Sequence, residues 1–299
     1  MRVLIGTLYT GENEFEQSKH SLRQQTHTKW EQVVYKHLPN KKAHDQLYRT
    51  FMEQSEDFDL FLKLDADMVF RSEDSLQTLV DLFKREPELD HALLAVHDWA
   101  SDTLIMGLHA YSKRVVWEAS EEDLFVDHSP FIPGKRLSTK RPPAPIVDHS
   151  PNPSPFQAFR FGVHRALKVL QRDRSDLAVF RSRMQWDLLG NVWQRFCRTD
   201  IRRLGLIVLG AEQVLKGEVS QSEYDDDSND LRRRFERNFA DLPIEAIKER
   251  LRSHWKNGLQ RESVYLRNVG MGRLLTSACV EIPKRLAAFT YRTVSADYM

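Results

Sequence analysis

The sequence predicts an α/β protein built on a mostly parallel sheet, with an antiparallel extension and a helical C-terminal region. Three observations predict it. Apolar, β-rich runs alternate with helix-period segments through the N-terminal part of the chain. A short apolar run within FDLFLKLDADMVF, residues 58–70, ends in a pair of carboxylates. Beyond residue 156 the helical period dominates.

The chain opens on an apolar run at 2–9, which enters a Thr/Tyr/Gly/Glu loop. Residues 14–25 follow with Phe15, Ser18 and Leu22 at helical spacing. A second strand is expected over 32–38, and then a helix over 43–54 with the stripe Ala43, Leu47 and Phe51. With the run ending at Leu64 the order is β-α-β-α-β. That order implies parallel strands whose carboxyl ends carry the ligand-facing loops, here residues 7–12 and 65–67. Residues 72–84 read as a packing helix with Ser72 as N-cap and Leu76, Leu79, Val80 and Phe83 on one face. Two strands, 92–99 and 103–111, joined by a short polar turn, supply the antiparallel extension.

Asp65 and Asp67 arrive where an apolar strand stops, so the sheet aims both at one rim. Two carboxylates plus phosphate oxygens make a common shell for Mg²⁺ or Mn²⁺. Taken alone, Asp-x-Asp is equally an ordinary polar turn. Asp45 and Arg49, early in the second helix, are placed to meet a phosphate or a base, or to form a salt-bridged surface.

The composition bounds the rest. With 299 residues, 41% hydrophobic and 29% charged, the chain is globular and long enough for one large core or a core with an appendage. Lys+Arg 44 against Asp+Glu 43 leaves a charge of +1, and nothing global points to nucleic acid. Cys197 and Cys279 lie far apart with no partner spacing, which fits a reducing cytosol rather than a disulfide framework or a zinc site. No window approaches the roughly 18 apolar residues of a membrane span, and no basic-then-apolar leader opens the chain.

Residues 126–155 are rich in Pro, Ser and basic residues, so little regular structure is expected there. The pentapeptide VDHSP occurs twice in this segment, at 126–130 and 147–151. The helix expected at 156–171 carries a basic stripe, Arg160, His164, Arg165 and Lys168. One or two helices with breaks at Gly190 or Gly205 are expected over 187–216. Beyond residue 231 the pattern is helical and basic. Arg233, Arg234, Arg237, Arg250, Arg252 and Lys256 suit either packing back on the core or peripheral contact with anionic lipid.

The N-terminal alternation together with LDAD at 64–67 resembles the glycosyltransferase-A fold, and in particular family 2-like bacterial sugar transferases. The resemblance covers roughly the first 110 residues, and the loop TLYTGE at 7–12 departs from the commoner Pro- and Asn-containing version. It implies a nucleotide-sugar core over 1–125, a Pro-rich active-site loop over 126–155, and a helical acceptor-side and C-terminal region over 156–299. It also implies that Thr7, Tyr9, Glu12, Asp45, Arg49, Asp65 and Gly107 bind the donor. The metal would be Mn²⁺ or Mg²⁺ on Asp65, Asp67 and a downstream histidine. His149 is preferred over His128, because it directly precedes a Pro-rich turn and a long helix. Lys135, Arg136, Lys140 and Arg141 would neutralise the diphosphate, and Asp127 or Asp148 would serve as base if configuration inverts. The implied activity is metal-dependent, hexosyltransferase-like transfer from a UDP- or GDP-sugar to a glycan or glycolipid acceptor, in bacterial surface polysaccharide or glycolipid synthesis. The implied location is cytoplasmic, or peripheral at the inner face of the membrane. Two other classes compete: a sugar nucleotidyltransferase, disfavoured because loop 7–12 contains no Lys or Arg, and a non-catalytic nucleotide-sugar-binding protein.

Overall fold

Val3, Leu4 and Ile5 have almost no exposed surface, as a strand covered on both sides requires, and they anchor the first strand at the heart of a mixed sheet. A computed structural model describes residues 1–118, 131–139, 145–170, 178–220, 229–255 and 258–270, with positions 224, 272 and 275. The chain divides into two units, one of them Met1–Gln157 and the other comprising the described residues of Ala158–Tyr224 and from Leu231 onward.

The first unit contains β1 (Val3–Tyr9), α1 (Phe15–Arg23), β2 (Trp30–Lys36), α2 (Asn40–Glu53), β3 (Leu60–Lys63), β4 (Met68–Phe70), α3 (Ser75–Arg85), β5 (Leu89–Asp98), β6 (Thr103–Ser112), β7 (Lys135–Thr139) and β8 (Val147–His149). The strand order is β2-β1-β3-β6-β5-β8-β4, with β7 also paired to β5. The ladders β1/β2, β1/β3, β5/β7 and β5/β8 are parallel, while β3/β6, β5/β6 and β4/β8 are antiparallel.

Alternation along the strands divides the core into two layers. Val3, Ile5, Leu60, Leu62, Ala92, Leu94 and Val96 pack with Leu22 of α1 and Leu76, Leu79, Val80 and Phe83 of α3. Leu4, Phe61 and Tyr111 face the other way, onto Leu47, Tyr48 and Phe51 of α2 and onto Trp117. Phe51 stacks on Phe61 at 4.8 Å and Tyr48 on Trp117 at 5.0 Å.

Three features differ from the sequence expectation. Helix α3 begins at Ser75 rather than after Ser72, because Gln25 supplies the cap: its Oε1 accepts the Leu76 amide at 2.8 Å. The segment 126–155 contains two strands, β7 and β8, because β5 extends far enough to offer them a free edge. Neither Gly190 nor Gly205 breaks a helix; the break falls at Asp200, which takes a left-handed φ of 53°.

The second unit is helical. It comprises α4 (Pro155–Leu170) from Ala158 onward, α5 (Ala178–Thr199), α6 (Arg202–Leu215), α7 (Asn229–Asn238) from Leu231 onward, α8 (Ile244–Trp255) and α9 (Gly258–Val269). Helix α6 is buried from Leu204 to Val214 and is the axis of this unit. Two glycines let α4 and α6 touch backbone to backbone: a Cβ on Gly162 would lie 1.7 Å from the Ile207 carbonyl oxygen, and one on Gly210 2.1 Å from that of Phe159. Trp186 packs against Trp255 at 5.1 Å and Tyr265 at 5.5 Å.

Candidate functional site

The Asp-x-Asp lies in the turn between β3 and β4, closed by the Met68 amide donating to the Asp65 carbonyl at 2.9 Å. Strand β8 inserts between β4 and β5. Its His149 pairs with Met68 on one side and with Asp98 on the other, so one row across three strands ends beside the Asp-x-Asp turn. His149 Nε2 lies 3.4 Å from Asp67 Oδ2, and His149 Nδ1 lies 2.8 Å from Asp98 Oδ1. The second VDHSP copy is therefore a strand with Val147 in the core and His149 at the turn. Asp127 and His128, in the first copy, lie outside the described residues, as do Lys140 and Arg141.

The two carboxylates of the turn differ electrostatically. Burial acts to raise the Asp65 carboxyl, but the Lys63 ammonium, 3.1 Å from Oδ1, outweighs it and the net shift is downward. Burial pushes Asp67 up to about 7; His149 opposes this, while Asp65, Glu12 and Glu14 add to it. The turn thus concentrates negative charge around one partly enclosed carboxylate and lacks a cation to balance it.

Glu14 was not marked by sequence pattern, yet it is 1% exposed and ties α1 to the β8–α4 connection. Its Oε1 accepts the Asn152 amide at 2.9 Å and the Ser150 hydroxyl at 3.3 Å, and its Oε2 accepts Gln157 Nε2 at 2.8 Å. Asn13 reinforces the junction by donating to the Asn152 carbonyl at 2.8 Å and to Gln157 Oε1 at 3.0 Å.

The remaining expected residues have diverse placements. Thr7 is fully buried, with Gln32 Nε2 donating to its hydroxyl at 3.0 Å, so as it stands it supports the sheet and offers no surface to a ligand. Tyr9 is half-buried and stacks on Phe15 at 4.3 Å. The Glu12 carboxylate accepts the Thr10 amide at 2.7 Å and the Thr10 hydroxyl at 2.6 Å, shaping the first loop. On α2, Asp45 is half-buried and Arg49 exposed, while the neighbouring His44 is the residue whose charge reaches Asp65. Gly107 is the extra residue of a β-bulge, since Leu94 pairs with Leu108 and Ala95 with Met106. Asp148 alternates to the face away from His149 and meets Arg71 Nε at 3.4 Å and His97 Nδ1 at 3.3 Å.

Lys135 is not brought to the turn. It pairs opposite Leu89, nine residues along β5 from Asp98 and so roughly 30 Å away at strand rise, and its ammonium binds Glu86. The basic stripe of α4 is engaged within the helical unit. Arg160 lies over Tyr224 at 5.0 Å, His164 packs on the same ring at 5.4 Å, and Arg165 donates to Gln185 Oε1 at 2.8 Å. Arg250 covers Phe239 and Arg252 pairs with Glu249, while Lys256 lies outside the described residues.

Asp67 and His149 fit a divalent ion of the Mn²⁺ type: one hard oxygen, one imidazole, and an enclosed carboxylate held high for want of positive charge. Among the described residues no three His, Cys, Asp or Glu side chains form a ready metal group. Asp65 is instead held by Lys63. The donor set is therefore two protein ligands, to be completed by Asp65 on release from Lys63 or by oxygens of a bound phosphate.

No protein-family model matches the sequence, and no curated protein matches it. Solved structures share parts of its chain path. A197 from STIV is similar over 38% of this chain and 66% of that one, at 16% identity and a TM-score of 0.28. A glycosyltransferase involved in glycosylation of the major capsid of PBCV-1 is similar over 46% of this chain and 81% of that one, at 13% identity and a TM-score of 0.31. A mannosyltransferase from Pyrobaculum calidifontis, in complex with GDP-Man and Mn²⁺, is similar over 90% of this chain and 86% of that one, at 11% identity and a TM-score of 0.35. Likeness of this depth concerns chain path and says nothing of chemistry.

Proposed function

We propose that the chain is a metal-dependent glycosyltransferase of the glycosyltransferase-A type, moving a sugar from a nucleotide-diphospho donor to an acceptor hydroxyl. The observation that carries this reading is the meeting of Asp67 and His149 at 3.4 Å across the Asp-x-Asp turn, where burial and three further carboxylates leave Asp67 short of positive charge. Mn²⁺ or Mg²⁺ bound there would offset the charge that develops on the departing diphosphate. Asp67 and His149 hold the ion. Asp65, paired with Lys63, supports its water shell or the donor ribose, and Lys63 adds a cation close to the same turn. Gly107, at the bulge in β6, gives the donor sugar close approach to the backbone.

An inverting reaction needs a carboxylate to take the acceptor proton. Asp148 is committed to Arg71 and His97 away from His149, which leaves Asp127 as the candidate. A UDP- or GDP-sugar donor, a glycan or glycolipid acceptor of bacterial surface polysaccharide, and action at the cytoplasmic face of the membrane belong to the same proposal. Among the described residues no helix is long and apolar enough to cross a membrane.

The test is calorimetric titration of UDP and GDP with and without Mn²⁺. Wild-type protein is expected to bind one of them in a Mn²⁺-dependent manner, and Asp67→Ala to lose that binding while keeping its circular dichroism spectrum. Near-native affinity in the folded variant overturns the proposal.

A further inference from the structure

We infer that Asp98 is the positioning residue for His149, holding its ring so that Nε2 is presented to the Asp-x-Asp turn; the inference rests on the metal reading of that turn. Asp98 ends β5 with 0% of its surface exposed. Its Oδ2 accepts the Ser101 amide at 2.8 Å and the Ser101 hydroxyl at 2.5 Å, and that hydroxyl oxygen lies 2.8 Å from Thr103 Oγ1. A carboxylate fixed from the turn behind it has little freedom to rotate. Its other oxygen, Oδ1, faces His149 Nδ1 at 2.8 Å.

The protonation pattern follows from the donor inventory. An ionised carboxylate only accepts, so His149 Nδ1 carries the hydrogen, and in the neutral ring Nε2 is left with a free lone pair. That nitrogen is the one 3.4 Å from Asp67 Oδ2. The backbone adds a second tie, since the Trp99 amide donates to the His149 carbonyl at 3.1 Å. Ring and main chain are thus both fastened to the end of β5, which sets the orientation of a ligating imidazole before any ion arrives.

The experiment uses the full chain, with Mn²⁺ alone as the probe. Calorimetry is expected to show Asp98→Asn binding Mn²⁺ about 10- to 100-fold more weakly than wild type. Alongside it, ¹⁵N-histidine spectra of the metal-free wild type, taken at roughly pH 9 to keep imidazoles neutral, are expected to show His149 as the Nδ1–H tautomer. That spectrum needs no variant, so it decides the matter even if Asp98→Asn does not fold. An Nε2–H tautomer in wild type, or unchanged Mn²⁺ affinity in folded Asp98→Asn, overturns the role of Asp98. A wild-type protein that binds no Mn²⁺ overturns the metal reading itself.

Discussion

The Ser150 amide donates to the Asp67 carbonyl at 2.7 Å, and Ser150 makes that contact from a left-handed φ of 49°. The residue after His149 therefore grips the residue that His149 faces, in a conformation that a side chain makes costly by roughly 1–2 kcal/mol. Ser150→Gly removes this strain and also the hydroxyl that meets Glu14 and Gln157, so the two effects offset to within about 1 kcal/mol. Ser150→Val keeps the strain, adds a branched Cβ and loses the hydroxyl. It is expected to cost about 2 kcal/mol or more, read from urea unfolding midpoints. Equal stability of the Gly and Val variants would show that the backbone conformation is not the constraint.

Glu14→Ala is expected to destabilise the first unit by roughly 2–3 kcal/mol, since it strands the Asn152 amide and the Gln157 side-chain amide that Glu14 now accepts. The same urea series measures it. A loss below about 0.5 kcal/mol would mean that water replaces the carboxylate there.

The alternation that places Asp65 and Asp67 at a sheet rim was legible because β1, β2 and β3 are short, apolar and separated by amphipathic helices. Asp98 was not, although it closes the apolar run ALLAVHD: its role depends on β8 pairing beside β5, a contact 51 residues apart in sequence. The two VDHSP copies are identical as strings, so only pairing with β4 and β5 distinguishes the second. The cations of β7 and α4 looked available because composition gives no register. Lys135 belongs to the far end of β5, and Arg165 to Gln185.

Gly162→Ala and Gly210→Ala are each expected to cost about 3 kcal/mol or more in the helical unit. The added methyls would stand 1.7 Å and 2.1 Å from carbonyl oxygens of Ile207 and Phe159, and backbone cannot rotate out of the way as a side chain can. Gly217, with nothing near its Cβ position but a φ of +73°, serves as the control for strain without crowding. Thermal unfolding followed at 222 nm checks the ranking; a Gly162→Ala protein as stable as wild type would mean that α4 and α6 do not meet at these residues.

Stability of the metal-free protein is expected to fall as pH rises from about 4 to about 7. Asp67 has its carboxyl raised from 3.8 to about 7 in the folded chain, chiefly by burial. Between those values the unfolded chain has released the proton and the folded chain still holds it, so unfolding is favoured as pH increases. Above about 7 both states are ionised and the slope from this group ends. The shift corresponds to at most about 4 kcal/mol, and less where the side chain, 18% exposed, is reached by water. Asp67→Asn removes the titrating group and should flatten this part of the profile. A divalent ion binds the ionised form, so Mn²⁺ should stabilise the wild type more at pH 8 than at pH 5 and leave Asp67→Asn nearly unmoved at both. Urea midpoints in EDTA and in Mn²⁺ at the two pH values provide the measurement. A wild-type profile that rises through this window and matches that of Asp67→Asn would mean that Asp67 titrates in the folded chain as it does in the unfolded one.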